Sequence, residues 1–138
     1  MNAVVNEARS YVGTRWVHQG RSRDGIDCAG LVVEVARVTH GSTFDVRDYA
    51  PQAQDETMLA MCTSLMDRVP LPEIQPGDVV VIRYDNQRHI AVVGDYPAPG
   101  ALSLIHASSK FGKVVEHRLD SVWRRIIMAA FRLRDEVA

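Results

Sequence analysis

The chain has 138 residues, with sixteen Lys and Arg against seventeen Asp and Glu, for a formal charge of −1. Hydrophobic residues make up 46% and charged residues 24%, the balance of a globular protein, and the length suits one domain over residues 1–138 that folds without staples. The missing basic excess counts against nucleic-acid binding, and no apolar run approaches the ~20 residues of a membrane-spanning helix.

The N-terminus has no basic stretch followed by a long apolar one. No secretory signal is therefore expected, and the chain is expected to be made in the cytoplasm. Residues 2–12 carry Val4, Val5, Ala8, Tyr11 and Val12 at helical spacing, and Gly13 ends the stripe. Residues 14–27 read as loop. Residues 28–39 return to a helix with Leu31, Val32, Val35 and Ala36 on one broad face. Its β-branched content lowers propensity, so burial has to hold it. Residues 41–54 read as irregular. Asp55 is a suitable N-cap for a third helix over 56–68, which Pro70 and Pro72 terminate. Pro76-Gly77-Asp78 is a turn that launches a strand over 79–84. A polar turn at 85–88 leads to a return strand over 89–96, and a Pro-rich turn at 97–100 to a third over 101–107. Residues 113–118 and 125–133 read as two more. Helices first and an antiparallel meander second make an α+β fold.

Two cysteines, Cys28 and Cys62, give neither a disulfide framework nor a CxxC zinc spacing. Cys62 lies in the middle of an apolar stripe and reads as core. Cys28 differs. It opens an apolar helix after a glycine-containing loop, where free N–H groups and the helix dipole favour an anion. Such a setting is expected to lower a thiol pKa and make the sulfur a nucleophile, although a packing cysteine is the plain alternative. Asp27 just before it can cap the helix, and Gly30 leaves room for close approach. His89 starts a strand after a polar turn and is placed to act as general base. His106 shares a strand face with Leu102 and Leu104. A partly buried imidazole there needs a partner, and a second imidazole would serve as the orienting third member. His18 is placed to line a cleft, His40 lies at a helix C-terminus, and His117 reads as an exposed strand position. Arg15, Arg21 and Arg23 are either contacts for an acidic substrate or a solvated rim. Cys28, His89 and His106 lack any short-range ligand pair, so a metal centre is a poor account of them.

The run from Ala8 through Gly13 to Trp16, the His18-Gln19-Gly20-Arg21-Ser22 loop and Asp27-Cys28-Ala29-Gly30-Leu31-Val32 resemble the N-terminal half of NlpC/P60 cysteine peptidases. Pro76-Gly77-Asp78-Val79-Val80, His89-Ile90-Ala91-Val92-Val93 and Ile105-His106-Ala107 are similar to that family's later strands. The resemblance spans nearly the whole chain and implies a papain-like α+β fold. It implies Cys28, His89 and His106 as a catalytic triad, with Trp16, Asp27 and Arg21 meeting substrate and no cofactor or metal. It also implies hydrolysis of peptidoglycan stem peptides, typically between D-γ-glutamate and a diamino acid. Two positions depart from the pattern. Ala29 stands where the family often has Ser, and Trp16 where many wall-cleaving members have Tyr, so substrate contacts there differ. The loop at His18 to Ser22 and the ending from Trp123 to Leu133 resemble peptidases of phage tails and gene-transfer particles. A place in a virion tail, with other tail proteins as partners, is the expectation this sets. An acyltransferase or amidase on the same fold, and a non-catalytic or assembly-activated tail-tip component, are the competing readings.

Overall fold

The computed structural model describes residues 2–47, 49–50, 56–96, 98 and 100–134. Its centre is a six-stranded antiparallel sheet. Val79, Val80, Val81 and Ile82 of β4 (Val79–Tyr84) are all fully buried, so this strand has apolar cover on both faces. β5 (Gln87–Gly94) pairs with it in unbroken register from Val79↔Val92 to Tyr84↔Gln87. The two-residue turn between them is Asp85-Asn86, with φ of 49° and 62°. Both values are positive, as hairpins of this length require, and Asx residues tolerate them. β6 (Ser103–Ser108) and β7 (Lys113–Arg118) follow as a meander.

The last strand, β8 (Ile127–Leu133), returns to the far side of β4, and β3 (Met66–Val69) pairs beyond it. The order is β3-β8-β4-β5-β6-β7. One face of the sheet carries Val79, Val81, Ile90, Val92, Ile105 and Phe131 and packs under α1 (Ala3–Arg9), α2 (Cys28–His40) and α3 (Thr57–Leu65). The other face carries Val80, Ile82, Ala91, Val93 and Leu104 beneath Ile74, Trp123 and Ile126. α2 holds despite its valines because Leu31, Val32, Val35 and Ala36 are buried. Asp27 caps its start, and Gly41 ends it in the left-handed region at φ 66°.

Several expected elements differ. The helix expected over 56–68 stops at Leu65, and Met66–Val69 is strand. Met66 and Val69 are buried while Asp67 and Arg68 are exposed, and pairing with Ala130–Leu133 outweighs the helical spacing. Asp55, its expected cap, lies outside the described residues, as do Pro97 and Pro99 of the expected turn. The loop over 14–27 contains a short hairpin, β1 (Arg21–Ser22) with β2 (Gly25–Ile26). Residues 121–125, partly expected as strand, form the short helix α4 (Ser121–Arg125), whose N-cap Asp120 accepts from the Val122 and Trp123 N–H groups.

Candidate active site

β5 and β6 pair only at Val92, Val93 and Gly94 with Ile105, Leu104 and Ser103. Toward His89 the two strands part, and α2 packs over both. The first residue of α2 is Cys28, 9% exposed. Cys28, Trp16, Tyr49, Met58, Arg88 and His89 all line one narrow cleft of about 20 Å³, room for one water molecule. A wider cleft of about 300 Å³ continues from it and shares Gln87, His89 and Ser109. The expected nucleophile and base thus line the same opening between helix and sheet.

The electrostatics correct one expectation. The helix N-terminus does not bring the Cys28 thiol pKa below its ordinary value. Burial, followed by the neighbouring Asp27 carboxylate, pushes it up to about 11, and the backbone N–H groups of Ile90 and Ala29 oppose this only in part. Burial likewise holds the His89 imidazole down to about 4, against a smaller upward pull from Asp27. At neutral pH the resting pair is therefore thiol and neutral imidazole.

His89 is oriented from behind. Its Nε2 lies 2.8 Å from His106 Nδ1, with the two rings nearly perpendicular. His106 is fully buried, and the partner it was expected to need is this second imidazole. It also has a third. His106 Nε2 lies 2.8 Å from His117 Nε2. His117, expected on an exposed strand position, is half-buried and belongs to the row. Trp123 covers the row, its ring centroid 5.6 Å from His106 and 4.4 Å from His117, and stacks on Tyr84 at 5.1 Å.

Asp27 lies at the floor of the cleft with its oxygens engaged. Oδ1 accepts from Gly30 N at 2.8 Å and Arg21 Nη1 at 3.0 Å. Oδ2 accepts from Gln19 N at 2.7 Å and from the Tyr49 hydroxyl. Arg21 does not line the cleft. Its donors go to Asp27, Asp45, the Gly20 and Val46 carbonyls and the Tyr49 hydroxyl. The expectation that Arg21 meets substrate is therefore corrected: its guanidinium is consumed inside the fold, holding the capping carboxylate. Trp16 does line the cleft, with its backbone tied to the Gly112 carbonyl. His18 lies behind Trp16 and Tyr49, at 6.4 and 5.5 Å between centroids.

Sequence reasoning passed over Tyr49 and Arg88. Burial and the hydrogen bond to Asp27 raise the Tyr49 hydroxyl pKa above the ordinary phenol range. Arg88 is 12% exposed at its side chain, and its Nε and Nη2 donate to Glu56 Oε1 at 3.0 and 2.8 Å. Its Nη1 is buried and has no partner among the described residues. Its position just before His89 was the one available signal. Among the described residues no group of three or more His, Cys, Asp or Glu side chains is arranged to hold a metal.

Comparison with known proteins shows the family and the fold. The probable endopeptidase NlpC of Escherichia coli (strain K12) is 30% identical over 129 residues, covering 93% of this chain and 75% of that protein. The NlpC/P60 domain of the peptidoglycan hydrolase SagA superposes with a TM-score of 0.65 at 21% identity, covering 96% of this chain and all of that one. The peptidoglycan hydrolase RipB of Mycobacterium tuberculosis gives 0.64 at 18%, covering 96% of this chain and 64% of that one. The model of the NlpC/P60 family matches residues 13–132, which include Cys28, the row of three histidines and every cleft residue named above, and the chain belongs to that family.

Proposed function

We propose that the protein is a thiol endopeptidase of the bacterial cell wall, the whole chain serving as one catalytic domain. The observation that carries this reading is Cys28 at the first turn of α2, sharing a cleft with a His89 that is held from behind by His106. His89 takes the Cys28 proton as the sulfur attacks the amide carbonyl. The backbone N–H of Cys28 has no intrahelical acceptor, as at any helix start, and stabilises the developing oxyanion. The His89 imidazolium then protonates the leaving amine. Water, deprotonated by His89, hydrolyses the thioester and restores the thiol. Every bond change is met by groups of the chain and water, and no cofactor enters.

The bond proposed is the one between D-γ-glutamate and a diamino acid. A γ-linked glutamate keeps a free α-carboxylate on the acyl side of the scissile bond, and the Arg88 guanidinium, whose residue lines this cleft, supports a carboxylate there. Trp16 lines the same cleft. The site of action proposed is a phage-like tail or virion, filled from the cytoplasm, that opens the wall locally during DNA delivery. The resemblance of the His18 to Ser22 loop and of the Trp123 to Leu133 ending to tail peptidases supports it. Tail proteins are then its partners.

The test is incubation with defined stem peptides and whole peptidoglycan, read by mass spectrometry. Wild type is expected to release products at one stem bond and Cys28→Ala none. Arg88→Ala is expected to raise KM by about tenfold for peptides carrying the free α-carboxylate, the loss of one charge-assisted hydrogen bond, and to leave α-amidated peptides unaffected. Cleavage by folded Cys28→Ala would overturn the reading.

A further inference from the structure

We propose that His117 is a positioning residue which, anchored on the Arg118 backbone carbonyl, sets the tautomers of His106 and His89 and leaves His89 Nδ1 as the bare ring nitrogen. His117 Nδ1 lies 3.1 Å from the Arg118 carbonyl oxygen. A carbonyl oxygen only accepts, so Nδ1 of His117 carries the proton. In the neutral ring Nε2 is then an acceptor. It sits 2.8 Å from His106 Nε2, which must donate. His106 Nδ1 is therefore the acceptor, 2.8 Å from His89 Nε2, which must donate in turn. That leaves Nδ1 of His89 without a proton, the form a base needs. Run in reverse with all three rings neutral, this chain of contacts would set a His117 lone pair against the Arg118 carbonyl oxygen.

Two features keep the direction fixed. His106 is held neutral: burial first, then the imidazoles on either side, push it well below its ordinary pKa. Trp123 lies against both His106 and His117 and packs over the two rings. Without His117, the Nε2 proton of His106 has no protein acceptor in the row. His106 can then flip to its Nδ1–H form, which forces the proton of His89 onto Nδ1 and silences the base. A wrong-tautomer base is a known way to lose catalysis with geometry intact.

The kinetic part of this inference rests on the peptidase reading, and the spectroscopic part does not. The measurement is long-range nitrogen–proton correlation NMR on the full chain labelled at histidine, at pH 7. His89 and His106 are expected to carry Nε2 protons and His117 an Nδ1 proton. In His117→Leu, His89 is expected to become a mixture of tautomers. Its kcat on a cleaved stem peptide should fall about ten- to a hundredfold with KM little changed, within what a general base contributes. His117→Gln can donate to the Arg118 carbonyl and accept from His106, and should restore both readouts. An Nδ1 proton on His89 or His106 in the wild type would overturn the proposal. So would a folded His117→Leu with the wild-type His89 tautomer. Should no peptide be cleaved by the wild type, the peptidase reading fails while the spectra still decide this one.

Discussion

A thiol at about 11 and an imidazole at about 4 define how the resting site behaves. The folded Cys28 value lies above the ~8.5 of a free thiol, so its contribution to stability is full below that pH and is lost as pH climbs through about 11. The folded His89 value lies below the ~6.5 of free imidazole, so its contribution is full above that pH and is lost as pH falls through about 4. Between these windows both groups are neutral and the sulfur is a weak nucleophile until a base acts on it. Alkylation of Cys28 by iodoacetamide, followed peptide by peptide, is expected to be slow at pH 7 and still rising beyond pH 9. A plateau below pH 8 would show a thiolate already formed at rest. Much of this site was legible residue by residue. Cys28 at a helix start and His89 and His106 at strand positions follow from spacing alone. The sign of the thiol shift was not legible, because it depends on how deeply the first turn is buried and on Asp27 being locked beside it. Tyr49 and Arg21 were opaque for the same reason: their roles are contacts across 22 and six residues to one carboxylate.

At the scale of elements, the placing of Cys28 depends on how α2 is pinned at its N-terminus. Gly30 is the contact point. A Cβ there would meet the Gly20 carbonyl oxygen at 2.2 Å and Arg21 Nη1 at 2.9 Å. Backbone, not a movable side chain, occupies the space, and the displaced guanidinium is the one that neutralises Asp27. Gly30→Ala is expected to lower stability by about 1–3 kcal/mol, measured by urea unfolding, and to depress activity further because the capping carboxylate moves with the loop. An unchanged unfolding midpoint would show that loop and helix yield freely. The sequence marked Gly30 as a place of close approach, and the partner in that approach is the loop before the helix. It hid the strand at Met66–Val69, since a buried-exposed-exposed-buried run satisfies a helix as readily as a twisted edge strand. The β1–β2 hairpin is too short to impose any period.

Across the whole molecule, the sheet order ties distant parts of the chain together. β8 lies between β3 and β4, with Phe131 fully buried among the residues beneath α2. Ala130 and Phe131 pair with Val80 and Val79 on one side and with Val69 and Arg68 on the other. Removing residues 127–138 would expose both neighbours and open the face under α2. The truncated chain is expected to lose cooperative unfolding and protease resistance entirely, not merely to be weakened, and circular dichroism melts would show it. The meander from β4 to β7 was legible because polar turns separate apolar runs. The insertion of β8 was not, because strand order is a long-range choice that no local pattern encodes. The inserted strand also has a consequence for biosynthesis. As the chain leaves a ribosome, Cys28 emerges early, but the sheet beneath it stays incomplete until β8 has cleared the exit tunnel. A growing chain therefore carries the Cys28 sulfur over an incomplete sheet until β8 has emerged.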